Sequence, residues 1–221
     1  MRTVLITGIG KGIGKALAEK FLIEGFNVIG TIRTGQTDIP GVLTYPLDLA
    51  DPESIRTTTH ALCVEHPTID IVINNAGVLL DEEETSLNVD LLRRTLDVNL
   101  LGTVAFTEAL KGHITQGGHI VNISSEAGSL TEANGTEGHY PHHYPAYKIS
   151  KTALNMYTRT LAVELRGKAI VSSVHPGWVQ TDMGGSEADM TPAEAAEGIF
   201  NTAIAQPETG QFWFKGEKLP W

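Results

Sequence analysis

The chain is poor in the features that mark secreted, membrane-spanning and disulfide-bonded proteins. It has one cysteine, Cys63, among 221 residues, which excludes a disulfide within the chain and fits a reducing compartment. No apolar run approaches the roughly 20 residues of a transmembrane helix. The opening residues, M-R-T-V-L-I-T-G, form a strand pattern that glycine interrupts too early for a signal peptide. We therefore expect a cytoplasmic protein without a membrane segment.

Positive charge is also scarce. The chain has 16 lysines and arginines against 26 aspartates and glutamates, a formal net charge of -10, and its basic residues form no block. A protein that neutralises phosphates needs such a block, so neither nucleic acid nor an acidic membrane surface is an expected partner. With 41% hydrophobic and 19% charged residues, the composition is that of a globular protein, and the length suits a single domain spanning 1–221.

Short apolar runs alternate with stretches of helical periodicity along the chain. Strands are predicted at 2–7, 26–31, 42–45, 69–73, 118–124, 169–174 and 211–214. Helices are predicted from the first glycine-rich turn to 24, over 52–65 with Asp51 as N-cap, over 88–114 with a break near Asn99, through Tyr147 and Lys151, and over 192–205. This alternation predicts an α/β fold of Rossmann type, a doubly wound parallel sheet with helices on both faces.

The turn between the first strand and the first helix is rich in glycine, reading G-I-G-K-G-I-G. Bare backbone at such a turn can approach a pyrophosphate at the positive N-terminus of a helix, so the strand-turn-helix unit predicts a dinucleotide site. An ordinary strand-helix corner is the alternative. The candidate cofactor-binding residues of the turn are Gly8, Gly10, Lys11, Gly12, Ile13 and Gly14.

The end of the second strand distinguishes NAD from NADP. An NAD site usually places a carboxylate there for the ribose 2'-hydroxyl, whereas a 2'-phosphate needs a cation. The chain reads V-I-G-T-I-R and has no carboxylate before Asp38. Arg33 can make a bidentate phosphate contact and Lys11 offers a second charge. NADP(H) is therefore the predicted cofactor, with a solvated loop cation as the alternative role of Arg33.

Tyr147 and Lys151 are one helical turn apart, on the same side of a predicted helix. A free phenol has a pKa of about 10, and a nearby ammonium lowers that pKa by favouring the phenolate. Such a tyrosine can transfer protons near neutral pH. The same spacing occurs by chance in many helices, and Tyr144 and Lys148 repeat it here. Pro145 restrains Tyr144 to an extended conformation, so Tyr147 is the better candidate.

Further motifs extend over the chain in a fixed order. They are T-G-I-G-K-G-I-G (7–14), N-N-A-G (74–77), D-V-N-L-L-G-T around Asn99, I-V-N-I-S-S-E-A-G (120–128), Y-K-I-S-K (147–151) and H-P-G-W-V-Q-T-D-M (175–183). Together they resemble the short-chain dehydrogenase/reductase family, classical type, over essentially the whole chain. Within it, P-G-W-V-Q-T-D-M-G-G and the ending F-W-F-K-G-E-K-L-P-W are similar to the C-signal-like and sniffer-like NADPH-dependent carbonyl reductases.

This resemblance implies a role for each matching position. Tyr147 would donate or accept the proton, Lys151 would lower its pKa and hold the nicotinamide ribose, and Ser125 would hydrogen-bond the substrate oxygen. The backbone of Asn99 would hold a water joined to Lys151. The other implied cofactor contacts are Asp48 and Leu49 near the adenine, Asn75, Ala76 and Gly77 beside the adenosine ribose, and Pro176, Gly177, Val179 and Thr181 around the nicotinamide.

Two segments depart from the family's pattern. Between Ser125 and Tyr147 lies an inserted segment, 131–145, whose many turn formers predict a loop over the active site. Its histidines, His139, His142 and His143, raise a metal site as an alternative, but no cysteine or acidic ligand pattern accompanies them, and no metal is expected. The second segment, 184–191, is short and implies a small lid and an open pocket.

These inferences predict an NADPH-dependent oxidoreductase that reduces a ketone or aldehyde to an alcohol by hydride transfer, with Tyr147 as proton donor. Two alternatives stay open: an NADP-dependent secondary-alcohol dehydrogenase, and a non-catalytic binding or signalling protein that senses NADP(H). The expected partner is a small-molecule carbonyl or alcohol, which the sequence does not identify. Relatives often pair through the helices around Asn99 and Tyr147, so a homodimer and a homotetramer both stay open.

Overall fold

The computed structural model describes residues 1–34, 37–82, 84, 86–131 and 144–221. The strands are β1 (Thr3–Thr7), β2 (Asn27–Ile32), β3 (Leu43–Pro46), β4 (Ile69–Asn74), β5 (Ile114–Ile123), β6 (Ala169–Val174), β7 (Gln211–Phe214) and β8 (Glu217–Leu219). The α-helices are α1 (Gly12–Ile23), α2 (Pro52–Glu65), α3 (Val89–Leu96), α4 (Thr103–Leu110), α5 (Pro145–Glu164) and α6 (Pro192–Ile204).

All eight strands form one sheet in the order β3-β2-β1-β4-β5-β6-β7-β8. The first seven pair in parallel, and β8 pairs antiparallel with β7. The strand order reverses between β1 and β4, which is the switch point of a doubly wound sheet. The predicted Rossmann-type fold is thus confirmed. β5 begins at Ile114, earlier than predicted, and β8 was not predicted at all.

Helices cover both faces of the sheet. On one face α1 and α6 pack together through Phe21 and Phe200, whose ring centroids are 4.8 Å apart. On the other face α2, α4 and α5 contribute Leu62, Phe106 and Leu161 to a second buried cluster. Each layer buries an apolar helix stripe against an apolar strand face, which is the main stabilising term of such a fold. Among the helices that the structure describes, none is both long enough and apolar enough to cross a bilayer.

The helix around Asn99 widens instead of breaking. The sequence predicted two helices separated by a break, whereas α3 continues through a π-helical turn, Asp97–Gly102, directly into α4. Gly102 allows this turn to approach the β3–α2 connection, since a Cβ there would overlap the carbonyl oxygen of Leu49. Single π-helical turns of this kind are frequent at functional sites. The irregularity was therefore predicted at the right residue but in the wrong form.

A buried histidine joins three elements. His119 on β5 is 2% exposed. Its Nδ1 donates to the carbonyl oxygen of Ala203 on α6 at 2.9 Å, which leaves Nε2 to accept from the Ser172 hydroxyl on β6 at 2.9 Å. Burial disfavours the charged ring and lowers the pKa of His119 from 6.5 to about 4. The folded protein therefore holds a neutral imidazole at this position.

This histidine should make stability depend on pH between about 6.5 and 4. Because its pKa is lowered in the folded state, the unfolded chain binds the proton first as pH falls, and up to roughly 3 kcal/mol of stability is lost across that window. Denaturant unfolding at several pH values gives the free energy of unfolding as a function of pH. For His119→Gln this free energy should change less with pH than it does for wild type. For His60→Gln, at an exposed position on α2, the free energy of unfolding should depend on pH as it does for wild type. Parallel curves for both variants would contradict the assignment.

Candidate functional site

The predicted site residues lie mostly at one edge of the sheet. Gly8 follows β1, Asn75 follows β4, Ser125 lies just beyond β5, and Pro176 just beyond β6. Because these strands are parallel, their carboxyl ends meet at the same edge, and this is where ligands bind in such sheets. The structure thus brings together segments that are up to 168 residues apart in the chain, from Gly8 to Pro176.

The glycine-rich turn is held in place from two sides. The backbone N–H groups of Gly8 and Ile9 donate to the carbonyl oxygen of Thr31 on β2, at 2.9 and 3.0 Å. The side-chain amide of Asn75 donates to the Thr7 carbonyl oxygen at 2.9 Å, and the Thr7 hydroxyl accepts from the Asn75 and Ala76 N–H groups, each at 3.0 Å. Asn75 and Ala76 therefore support the turn directly, a role that sequence reasoning did not assign to them.

The turn leads into α1, which begins at Gly12. Gly8 and Gly12 have φ of 75° and 57°, the left-handed region that favours glycine. Gly10 and Lys11 are exposed, whereas Ile13 is partly buried and packs against the core. The exposed backbone of the turn thus lies open at the N-terminus of α1, as a phosphate-binding turn requires.

Gly14 carries the tightest contact of the turn. A Cβ there would overlap the Gly8 carbonyl oxygen and lie 2.5 Å from Asn75 Nδ2. Gly14→Ala should therefore lower the free energy of unfolding by roughly 1–3 kcal/mol, because overpacking outweighs the helix propensity that alanine gains. Urea unfolding measures this loss.

Gly10→Ala is the matched control in the same turn. Its nearest neighbour would be Ile32 Cγ2 at 3.8 Å, an ordinary contact, and its φ is not positive. We expect stability close to wild type. Equal losses for the two variants would mean that the backbone of the turn adapts and that the close approach at Gly14 has no energetic weight.

Tyr147 and Lys151 lie on the first turns of α5. Tyr147 is the third residue of the helix, whereas Tyr144 precedes it with a left-handed φ of 39°. Lys151 is 5% exposed, its Nζ donates to the Ile123 carbonyl oxygen at 2.8 Å, and it lies 5.5 Å from the centroid of the Tyr147 ring. Burial lowers the pKa of Lys151 to about 8. The lysine thus lies beside the phenol and away from bulk water.

Tyr144 has a different electrostatic environment. Burial, together with the carboxylates of Glu82 and Asp81, raises the pKa of Tyr144 above 10. A raised pKa makes a phenol a weaker acid and a poorer proton donor. Of the two overlapping Tyr-Lys pairs in the sequence, the structure therefore gives a cationic neighbour to Tyr147 and anionic neighbours to Tyr144.

Ser125 precedes a short 3₁₀ turn, Glu126–Gly128, and its Oγ accepts from the Ala127 N–H at 3.2 Å. The Gly128 carbonyl oxygen accepts from Thr152 Oγ1 at 3.1 Å and from Asn155 Nδ2 at 3.2 Å, both on α5. A Cβ on Gly128 would lie 2.7 Å from the backbone carbon of Lys151. This close approach fixes the serine turn against the part of α5 that carries Lys151.

His175 anchors the same turn from the end of β6. It is 5% exposed, and its Nδ1 accepts from the backbone N–H of Glu126 at 3.3 Å. Sequence reasoning did not single it out, because a histidine before Pro-Gly gives no signal of where its ring points. The serine turn is consequently held by α5 on one side and by β6 on the other.

Asn99 uses its side chain to join two parts of the site. Its Oδ1 accepts from the Val78 N–H at 2.7 Å, and its Nδ2 donates to the Val78 carbonyl oxygen at 2.8 Å and to Ser150 Oγ at 3.1 Å. Ser150 Oγ in turn donates to the Tyr147 carbonyl oxygen at 2.7 Å. A Cβ on Gly77 would lie 3.2 Å from Asn99 Oδ1 and 3.6 Å from Lys151 Nζ. The water-holding role of the Asn99 backbone stays a prediction.

The cations predicted for a 2'-phosphate differ in their surroundings. Arg33 is exposed after β2, borders a groove of about 530 Å³, and forms no ion pair or hydrogen bond within the described part of the chain. Lys11 forms an exposed ion pair with Asp182. Lys15 binds Asp38 at 3.0 Å, so the carboxylate that follows Arg33 already has a cationic partner. Of Arg33, Lys11 and Lys15, Arg33 is therefore the one that pairs with no carboxylate among the described residues.

Asp48 and Leu49 follow β3, at the same edge of the sheet where Arg33 follows β2. Asp48 Oδ1 accepts from the Ala50 N–H at 2.9 Å, and Leu49 is 6% exposed. These contacts order the turn that opens α2. At the start of that helix Asp51 accepts from the Glu53 N–H at 3.0 Å, as predicted for an N-cap. Adenine contacts by Asp48 or Leu49 stay predictions.

The segment after β6 folds back on itself. The Gln180 N–H donates to the Met190 carbonyl oxygen at 2.8 Å, and the Met190 N–H donates to that of Trp178 at 3.0 Å. Gly177 has φ of 91°, Val179 is buried, and Pro176 is half-buried. Thr181 reaches the glycine turn, where a Cβ on Gly12 would lie 3.2 Å from its Cγ2. These hydrogen bonds join the two ends of a loop, 178–190, and the small lid and open pocket expected from segment 184–191 stay predictions.

Part of the inserted segment lies outside the described residues. This part is 132–143, and it contains His139, His142 and His143. The predicted loop over the active site therefore stays a prediction. Within the residues that the structure does describe, no group of three or more His, Cys, Asp or Glu side chains is placed to hold a metal ion.

Known proteins are similar to this chain over most or all of its length. The family model described as short chain dehydrogenase matches residues 2–192. C-signal of Myxococcus xanthus is 34% identical over 165 residues, 69% of this chain and 93% of C-signal. The NADPH-bound carbonyl reductase from chicken fatty liver has a TM-score of 0.90 and 25% identity, covering 100% of this chain and 99% of its own. Carbonyl reductase Sniffer of D. melanogaster has a TM-score of 0.86 and 25% identity, covering 100% of both chains. These findings confirm the resemblance inferred from the motifs.

Proposed function

Because the chain belongs to the short-chain dehydrogenase family, we propose that it is a carbonyl reductase that uses NADPH to convert a ketone or aldehyde to an alcohol. The observation that carries this proposal is the position of Lys151, a buried side chain whose Nζ lies 5.5 Å from the Tyr147 ring centroid. A binding protein has no need of a lysine whose burial disfavours its charge. A proton-transferring tyrosine does need a cation, because the cation stabilises the phenolate.

The turn and its surroundings fit a dinucleotide. Gly8 and Gly12 adopt positive φ and leave the turn backbone bare at the N-terminus of α1, where a pyrophosphate is favoured. Arg33 is an exposed cation beside a groove, and the first carboxylate after it is paired with Lys15. A ribose 2'-phosphate suits this arrangement better than a 2'-hydroxyl does. The carbonyl reductase from chicken fatty liver, similar to this chain over its whole length, holds NADPH.

The residues proposed to hold the cofactor form three groups around the sheet edge. They are the turn residues Gly8, Gly10, Lys11, Gly12, Ile13 and Gly14, the adenosine-end residues Arg33, Asp48, Leu49, Asn75, Ala76 and Gly77, and the nicotinamide-end residues Tyr147, Lys151, Pro176, Gly177, Val179 and Thr181. When bound, NADPH would supply the hydride.

The protein's own residues would manage the proton and the developing charge. Tyr147 would donate its phenolic proton to the substrate oxygen as that oxygen becomes an alkoxide. The Lys151 ammonium would stabilise the phenolate that remains, in a buried site where charge interactions are stronger than in water. Ser125 would hydrogen-bond the substrate oxygen, and the hydrogen bonds of its turn to α5 and His175 support this role by fixing the turn in place. Asn99 would fix the positions of Val78 and Ser150 next to Tyr147 through its side-chain hydrogen bonds.

A cofactor and substrate screen tests the proposal. Purified protein should bind NADPH and oxidise it in the presence of at least one compound from a panel of ketones, aldehydes, diketones and quinones. Faster reduction of NADP⁺ with secondary alcohols would identify an alcohol dehydrogenase instead. NADPH binding without turnover of any panel compound, in either direction, would favour the non-catalytic sensor.

A further inference from the structure

We propose that Asp81 is a positioning residue that caps α5 from outside the helix and thereby holds the turn that carries Tyr147. Its kinetic consequence rests on the proposed reductase function, whereas its structural consequence does not. Asp81 lies in the connection between β4 and α3, and none of the sequence motifs gives it a role in the site. The structure places its carboxylate at the start of the helix that carries both Tyr147 and Lys151.

The start of α5 lacks a cap of its own. A helix leaves its first N–H groups without intrahelical partners, and a Ser, Thr, Asp or Asn side chain at the N-cap usually accepts one of them. Here the N-cap residue is Tyr144, which has a left-handed φ of 39° and makes no side-chain cap hydrogen bond. Pro145 follows and has no N–H. The first backbone donor of the helix is therefore Ala146, one residue before Tyr147.

Asp81 supplies the missing acceptor from 65 residues away. Its Oδ2 accepts from the Ala146 N–H at 2.7 Å, and the side chain is 1% exposed. Its other oxygen, Oδ1, is buried and has no hydrogen-bond partner within the described part of the chain. A carboxylate so deeply buried is costly unless something compensates for it. The positive N-terminus of α5 supplies such compensation.

Asp81 ends a short segment, 78–81, that is hydrogen-bonded at both of its ends. The backbone N–H and carbonyl oxygen of Val78 are hydrogen-bonded to Oδ1 and Nδ2 of Asn99. At the other end, Asp81 accepts from the Ala146 N–H. The stretch 78–81 therefore links the π-helical turn to the first turn of α5. Ser150 adds a second link, since it accepts from Asn99 and donates to the Tyr147 carbonyl oxygen. Loss of the Asp81 contact would leave the first backbone N–H of α5, one residue before Tyr147, without its acceptor.

The test compares three substitutions at Asp81. Asp81→Ala removes the acceptor, and we expect kcat to fall by roughly ten- to a hundredfold, since small misplacements of a reacting group have effects of this size. The NADPH dissociation constant and the KM for the carbonyl substrate should change much less. Asp81→Asn keeps an acceptor oxygen in the same place and should restore most of kcat. Asp81→Ser, too short to reach Ala146, replaces the alanine variant if that variant does not fold.

Asp51→Ala is the matched control. Asp51 is also an aspartate that accepts an N–H at a helix start, that of Glu53, but on α2, which carries none of the proposed catalytic residues. Its loss should lower the thermal midpoint and leave kcat unchanged. If Asp51→Ala and Asp81→Ala lower kcat equally, or if Asp81→Asn is as impaired as Asp81→Ala, Asp81 is not a positioning residue in the sense proposed.

Amide hydrogen exchange keeps this inference separate from the proposed function. Peptides that cover the start of α5 should exchange faster in Asp81→Ala than in wild type, and at the wild-type rate in Asp51→Ala. Unchanged exchange in Asp81→Ala would overturn the cap, whatever the activity. A wild-type protein that turns over no carbonyl compound, together with faster exchange in Asp81→Ala, would overturn the proposed function and the kinetic consequence while leaving the cap in place.

Discussion

Replacing Tyr147 with phenylalanine is expected to lower NADPH-dependent turnover by about a hundredfold or more, the usual scale for loss of a general acid. The substitution removes one oxygen and leaves the ring beside Lys151. It should not disturb the glycine turn, which is held by Thr31 and Asn75. The dissociation constant of NADPH should therefore stay close to wild type. Steady-state kinetics and a cofactor titration on the same preparation measure the two quantities.

Tyr144→Phe is the control that the sequence itself offers. It removes the same oxygen three residues earlier, from a tyrosine that precedes α5 and whose pKa is raised by burial and by Glu82 and Asp81. Its turnover should remain near wild type. If Tyr144→Phe is the variant that loses activity, the wrong Tyr-Lys pair has been assigned. If neither is impaired, the proton comes from another group or from water.

Arg33→Ala is expected to weaken NADPH binding by roughly ten- to a hundredfold, because a hydrogen bond to a charged group contributes about 1.5–3 kcal/mol. NADH has no 2'-phosphate, so its affinity should change little. The difference between the two cofactors should shrink as salt rises, since Arg33 is exposed and its contact with a phosphate would be screened. Titration of both cofactors into wild type and variant at two salt concentrations gives the measurement.

Lys11→Ala separates position from charge. It removes the same unit charge from the glycine turn, but Lys11 is paired with Asp182 in the structure. We therefore expect a smaller loss of NADPH affinity than for Arg33→Ala.

Equal losses of NADH and NADPH affinity in Arg33→Ala would show that this arginine supports the fold. A larger loss in Lys11→Ala would place the phosphate nearer to the turn than to the end of β2.

Local patterns were sufficient to predict most of the fold. Seven strands have apolar runs long enough to be recognised. The start of α2 was also clear, because the side-chain oxygen of Asp51 caps the helix and Pro52 has the fixed φ that suits its first position. β8 was missed for an equally local reason. It has three residues, Glu217 and Lys218 are exposed, and it forms only because β7 offers a free edge, which is a property of the assembled sheet.

The sequence motifs pointed to the residues of the candidate site, but not to the contacts that hold these residues in place. Motif spacing identifies Tyr147 and Lys151, yet it does not reveal that the serine turn touches Lys151 only because Gly128 has no side chain. Asp81 left one indirect signal: a helix starting with Tyr-Pro has no capping residue and must find an acceptor elsewhere. Which residue supplies it depends on where the β4–α3 connection runs, and no periodicity encodes that path.

The loop that follows β6 has a consequence for protein engineering. Its two ends are fixed by the hydrogen bonds between Gln180, Met190 and Trp178, and Gly184 tolerates no side chain because a Cβ would overlap the Val179 carbonyl oxygen. Gly185 is different: it is exposed, has φ of 76°, and a Cβ added there would meet no atom within 4 Å. Exposed loop tips of this kind accept added residues. Segments grafted at Gly185 are therefore expected to leave the hydrogen bonds that fix the two ends of the loop intact.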